Sequence, residues 1–258
     1  MIWVTGDCHS DFNKFRKDVF FEQEDMTKDD VMIICGDFGG VWYQEHGEFV
    51  GGALRRENKN LDWLDSLPFT TVFVDGNHEN FDRLNAYPVQ EWNGGKVHVI
   101  RPSVLHLMRG EVFTINNTKI FAFGGASSHD IQHGILDYND EDWREQAKAL
   151  ERDGKYMYRV KGLTWWEQEL PTEEEMQNGI DNLKKHNNKV DYIITHSPCA
   201  SVIALLGRGL YKQDVLTQYL EQIRQNAECI KHICGHMHLD KYVTSKDIIL
   251  YDQIVQIG

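Results

Sequence analysis

The chain has 258 residues, with 27 Lys and Arg against 40 Asp and Glu, giving a formal charge of −13 with histidine neutral. At 41% hydrophobic and 26% charged, with only 5 prolines, it has the composition of an ordered globular protein with chain enough for a substantial core. The acidic balance argues against an extended nucleic-acid surface or an anionic-membrane surface, but not against a local phosphate site.

In chain order, residues 2–5 form the first apolar run and stop at Gly6-Asp7-Cys8-His9. Phe12, Phe15 and Val19 then recur at helical spacing behind Ser10, which predicts a helix capped by that serine. Residues 31–35 run into Gly36-Asp37, a helix is expected over 53–65 with Leu54, Leu61 and Leu64 on one face, and residues 70–74 run into Gly76-Asn77-His78. Residues 96–123 and 242–257 read as short strands with close turns, hence antiparallel pairs in a second sheet. The stretch 126–168, with Tyr138, Trp143, Tyr156, Tyr158, Trp165 and Trp166 among many charges, is too aromatic for a linker and predicts an insertion or lid. Thr172-Glu173-Glu174-Glu175 is a capping-box pattern that opens a helix towards Lys185. Residues 190–195 precede His196, a helical pattern covers 213–226, and residues 230–234 precede Gly235-His236-Met237-His238. Strand and helix alternate, so a layered α/β core in one domain over 1–258 is expected.

The opening MIWVTGDCHS has no basic n-region or long apolar run, and no segment approaches the ~18 apolar residues of a membrane span. The 5 cysteines are odd in number and include no C-x-x-C pair, which suits a reducing, cytoplasmic setting. Cys8 lies between two polar residues, and strand-like alternation would turn it into the packing.

Chemistry concentrates where the apolar runs end. An Asp or His after one strand is ordinary turn material, but here five successive strand ends deliver Asp, Asn or His to one sheet edge. Buried together, such groups are costly unless a cation compensates them. Carboxylates and imidazoles without thiolates suit manganese, iron or zinc, with manganese favoured. Asp7, His9, Asp37, Asn77, His196, His236 and His238 are too many ligands for one catalytic ion, whereas two ions sharing Asp37 would accommodate them.

The ordered series Asp7-x-His9, Gly36-Asp37, Gly76-Asn77-His78-Glu79, Thr195-His196 and Gly235-His236-x-His238 resembles the calcineurin-like metallophosphoesterase superfamily. That resemblance implies a four-layer α/β/β/α sandwich of two mixed β-sheets with a dinuclear site between the strand-end loops. It implies that Asp7, His9 and His238 hold one ion, that Asn77, His196 and His236 hold the other, and that Asp37 bridges them. A metal-bridging hydroxide would attack a phosphate ester, with His78 contacting the phosphoryl oxygens or protonating the leaving group. A phosphomonoester is the favoured substrate; a phosphodiester, including cyclic nucleotide or nucleic acid, is the alternative, and a non-catalytic scaffold a further one.

The protein-phosphatase branch reads G-D-x-x-D-R-G at the second motif, whereas this chain reads Gly36-Asp37-Phe38-Gly39-Gly40-Val41-Trp42. It therefore lacks the Asp that orients the histidine and the Arg that binds phosphate. Glu79 is available as a substitute orienting group, against its expectation as an exposed turn residue. Candidate substrate contacts are Asn77, His129, Asp130 and Arg208, the last either as a replacement phosphate-binding cation or as an ordinary surface residue. His129 and Asp130 fit a capped turn equally well. Trp165 and Trp166 are expected to pack the insertion onto the sandwich, with stacking on an aromatic group as the other reading.

Overall fold

The computed structural model describes residues 1–44, 51–207 and 212–258. One sheet is built from β1 (Ile2–Thr5), β2 (Val31–Ile34), β3 (Thr70–Phe73), β4 (Val89–Trp92), β5 (Gly95–Arg101), β6 (Val104–Leu107) and β15 (Ile254–Gln256), in the order β15-β1-β2-β3-β6-β5-β4. The second contains β7 (Glu111–Ile115), β8 (Thr118–Phe123), β11 (Tyr192–Thr195), β12 (Lys231–Cys234), β13 (Lys241–Tyr242) and β14 (Asp247–Ile249), in the order β13-β14-β12-β11-β8-β7. Both mix parallel and antiparallel pairs.

Side-chain alternation along the strands builds the layers. Ile2, Val4, Val31, Ile33 and Val72 point between the sheets and meet Phe113, Ile120, Ala122, Ile194 and Ile233 from the other side. Trp3, Met32, Ile34 and Phe73 point outward, where α1 (Gly52–Ser66) covers them with Leu61 and Leu64. On the far side Phe121, Phe123, Ile193 and Cys234 pack on Leu183 from α4 (Glu173–Lys185) and on Leu216, Leu220 and Ile223 from α6 (Val215–Asn226). The result is the helix, sheet, sheet, helix stack. The Thr172 capping box is present, and α6 opens on a second one at Asp214.

Three expectations change. Residues 96–107 extend the first sheet instead of founding the second, and the tail strand β15 pairs antiparallel with β1. The parallel runs are divided, with β1, β2 and β3 in one sheet and β11 and β12 in the other. The helix behind Ser10 is reduced to short 3-10 turns at Asn13–Phe15 and Phe21–Asp25. Ser10 has φ 66 and donates to the Gly39 carbonyl instead of capping, while Val19 is exposed. The Asp7 loop draws this segment towards the second motif, through the amides of Cys8, His9 and Ser10 that donate to Asp37 and Phe38 carbonyls.

Within 126–168, β9 (Ile135–Asp137) and β10 (Arg159–Lys161) form a parallel pair with α3 (Trp143–Arg152) between them. Trp166 is buried, donates from its indole to Asp82 at 2.8 Å and meets Trp42 edge-on. Its role is packing. Cys8 is buried among Phe12 and Phe38 as expected. Among the described residues no helix is long and apolar enough to cross a membrane.

Candidate metal centre

Strand ends from both sheets converge on one rim, and the backbone there is unusual. His9, Asp37, His236 and His238 have φ of 47, 44, 68 and 48, the left-handed region that costs non-glycine residues roughly 1 kcal/mol or more each. This conformation ends each strand in a tight reversal that aims the side chain back over the sheet edge. Gly76 and Gly235 allow the approach, since a Cβ at either would collide with the Asp37 or Asp7 carboxylate respectively.

Two donor groups result. In one, Asp7, His9, Asp37 and His238 present ligand atoms within 4.8 Å of one another; in the other, Asp37, His196 and His236 do. His9 Nε2 and His238 Nε2 are 3.0 Å apart, and His238 Nε2 is 3.2 Å from Asp7 Oδ2. Asp37 faces both groups, with Oδ2 3.6 Å from His9 Nε2 and Oδ1 3.3 Å from His196 Nε2. Its Oδ1 also accepts the His78 amide at 2.9 Å, which ties the second motif to the third.

Orientation of the ligand atoms is set by neighbours. His196 Nδ1 donates to the Cys35 carbonyl at 2.7 Å, which fixes a hydrogen on Nδ1 and leaves Nε2, facing Asp37, as the nitrogen that can take an ion once its own proton leaves. Asp7 Oδ1 accepts the His236 amide, leaving Oδ2 towards the first group. Lys14, unremarked in the sequence, holds this loop by donating to the carbonyls of Asp7 and Tyr251.

Asp7 Oδ2, Asn77 Oδ1 and His196 Nε2 are buried without any hydrogen-bond partner. Three such buried polar atoms turned to one rim from different strand ends would cost several kcal/mol if nothing completed them. Cations satisfy all three, so the donor set fits two divalent ions. A third buried group, Cys199, His232 and Asp247, differs in this respect. Asp247 already accepts two bonds from Arg224, at 2.6 Å each, and its pairing accounts for that cluster without an ion.

Charges here are strongly perturbed. Burial raises the Asp37 pKa, but the attraction of His196, with His78 and His9, outweighs it and holds the carboxyl well below the usual range. Burial would lower His196, yet Asp37 and Asp7 push it up to about 10. His236 is driven well below its ordinary value by burial and then by the His196 charge. His78 is lowered by burial and by Arg159, against the pull of Asp37.

The helper residues differ from expectation. Glu79 is fully buried, not an exposed turn residue, and accepts the Phe38 amide at 2.8 Å. Burial and the Asp37 charge raise its pKa well above the ordinary value. The polar contact at His78 Nε2 comes from Arg159, whose Nη2 lies 3.3 Å away while its Nε donates to Asp130 at 2.7 Å. Because a guanidinium only donates, His78 Nε2 accepts and carries no hydrogen in this arrangement. Arg159 sits in the insertion, 81 residues from His78, with no motif around it to mark it. His129 Nε2 lies 2.9 Å from His236 Nε2, and its turn is held by Glu169 accepting from the Ser128 amide and hydroxyl. Arg208 lies outside the described residues.

The chain is 26% identical over 153 residues to a lariat debranching enzyme of Danio rerio, 25% over 142 residues to lariat debranching enzyme A of Xenopus laevis, and 24% over 204 residues to one from Caenorhabditis elegans. These matches cover 55%, 52% and 76% of the chain but 25%, 25% and 36% of the relatives, so it spans about a quarter to a third of their length. The family model for calcineurin-like phosphoesterases matches residues 1–240. By that match, with the sandwich of mixed sheets beneath the histidine and carboxylate rim, the chain belongs to the calcineurin-like phosphoesterase family of metal-dependent phosphoric ester hydrolases.

Proposed function

We propose that the chain is a dinuclear phosphoesterase in which Asp7, His9, His238 and Asp37 hold one ion and Asp37, Asn77, His196 and His236 the other. The observation that carries this reading is the pair of donor groups sharing Asp37, with unpartnered Asp7, Asn77 and His196 atoms between them. Bound there, two divalent ions would supply an activated water and polarise the phosphoryl group. Manganese suits the nitrogen and oxygen donors and is the ion to load first.

The chain's own residues supply the rest. Asp37 keeps its charge and ties the two groups together, while the His196 to Cys35 bond fixes which nitrogen faces the ion. Arg159 provides the cation that the second motif lacks, placed beside His78 to take a phosphoryl oxygen. The neutral imidazole of His78 contacts phosphate in this arrangement, and the acid role becomes available only if substrate displaces Arg159 from Nε2.

Between ester classes, two observations favour a phosphodiester over the monoester the sequence put first. The relatives are lariat debranching enzymes, which are phosphodiesterases. The rim is also flanked by two clefts, one reached past Trp42 beside His78 and one lined by His129, His236 and Lys212, so each organic arm of a diester has a place. The test is turnover of bis(p-nitrophenyl) phosphate against p-nitrophenyl phosphate by manganese-loaded protein, with Asp37→Asn as blank. A faster diester supports the reading, a faster monoester returns the preference to phosphomonoesters, and no turnover of either with two ions bound rejects an enzyme.

A further inference from the structure

We propose that the aromatic pocket between the Trp42 loop and the insertion binds a planar nucleobase on one arm of the substrate. As a substrate subsite this rests on the phosphoesterase reading; as a base-binding pocket it does not. The cavity is about 580 Å³ and is walled by Trp42, Tyr43, Trp143, Tyr156 and Tyr158, with Glu151 among them. That volume lies within the roughly 300–1,000 Å³ of small-molecule sites. None of the candidate metal ligands lines it.

Its connection to the rim follows from strand alternation. Tyr158 and Val160 face the pocket, while Arg159 between them turns the other way to meet His78. On the opposite wall the Trp42 ring is 5.9 Å from the His78 ring, centre to centre. A group in the pocket is therefore separated from the phosphoryl site by one residue on either side.

The walls are held in place before any ligand arrives. The amides of Trp42 and Tyr43 donate to Glu57 at 2.7 and 2.9 Å, and Glu57 is clamped by Arg83. The Tyr158 hydroxyl donates to one Glu151 oxygen at 2.8 Å. Tyr156 is 70% exposed, leaving a large aromatic surface in water beside other rings. Stacking rings select a flat π-surface, and the carboxylate of Glu151 selects one that carries an N–H donor, which a nucleobase with an exocyclic amine provides. On a chain of charge −13, stacking also supplies affinity without a basic track.

The test uses the full chain. Adenosine, which contains no phosphate, and ribose are titrated by calorimetry and ligand-observed NMR. Adenosine should bind at least about tenfold tighter than ribose, and Tyr156→Ala and Trp143→Ala should each weaken it by roughly 5- to 150-fold, the span of one aromatic stack. With manganese loaded, adenosine 5′-(p-nitrophenyl phosphate) should show a lower KM than methyl p-nitrophenyl phosphate, and Tyr156→Ala should erase that gap. Adenosine binding no better than ribose, or surviving both substitutions unchanged, overturns the pocket, and equal KM values overturn its role as a substrate subsite. Failure of the phosphoesterase reading appears separately, as adenosine binding without turnover of either ester.

Discussion

Replacing Asp37 with Asn removes one charge from the point where the two donor groups meet and leaves the local fold nearly intact. The Asn carbonyl still accepts the His78 amide that Asp37 Oδ1 accepts at 2.9 Å, so the turn after β3 keeps its tie. The electrostatic loss is large because the carboxylate is almost fully buried. Two unit charges 3.3 Å apart, the Asp37 to His196 separation, interact by about 5 kcal/mol at an effective dielectric of ~20. A divalent ion in the same place loses at least as much, which is about three to four decades of affinity. The amide oxygen can still ligate weakly, so metal affinity should fall by at least about a hundredfold. Metal content after gel filtration should drop from two ions per chain to one or none, and diester turnover should vanish with it. Near-UV circular dichroism establishes that the variant is folded. Two retained ions with wild-type turnover would refute the shared-ligand geometry and the function built on it.

The His196 shift gives a pH dependence with a definite sign. Its folded pKa of about 10 lies above the ordinary 6.5, so its pairing with Asp37 stabilises the metal-free fold fully below about pH 6.5 and fades as pH rises towards 10. An ion can take Nε2 only after that proton leaves, so manganese binding should release protons and tighten by up to about tenfold per pH unit over this window. Calorimetry in buffers of different ionisation enthalpy reads the release, and a pH-independent affinity would count against it. Arg159→Lys should raise KM for the diester about tenfold, because a point charge replaces a fork already committed to Asp130 and Thr164; an unchanged KM would remove Arg159 from phosphate binding. Gly76→Ala drives a methyl group against the Asp37 carboxylate and amide, which should cost about 2 kcal/mol of stability and reduce metal occupancy. Thermal unfolding and metal content together check it, and a wild-type result in both would show that the turn relaxes freely.

How much was legible in the sequence depended on how local the cause was. A buried strand is a continuous apolar run, and its end is a turn residue a few positions on, so β1, β2, β3, β11 and β12 were found to within two residues, along with the Thr172 capping box and the residues at each strand end. The order of those strand-end groups along the chain was enough to bring out the family. What sequence did not contain was which strand lies beside which. Apolar faces of β1 and β11 look alike, and only the packing of inner faces between sheets divides them, which is why residues 96–107 joined the first sheet and β15 returned to pair with β1. The helix behind Ser10 gave way for the same kind of reason, as backbone bonds from Cys8, His9 and Ser10 to the second motif outweighed helical spacing. Glu79 and Arg159 show the limit most plainly. Whether a carboxylate is exposed or buried beneath Phe38, and whether an arginine in an aromatic insertion reaches a histidine 81 residues away, are matters of long-range approach. Residue types and spacing determined which groups this chain can offer to a phosphate ester. The tertiary structure decided which of them meet, because burial and charge at the rim arise only when distant strand ends are brought to one edge.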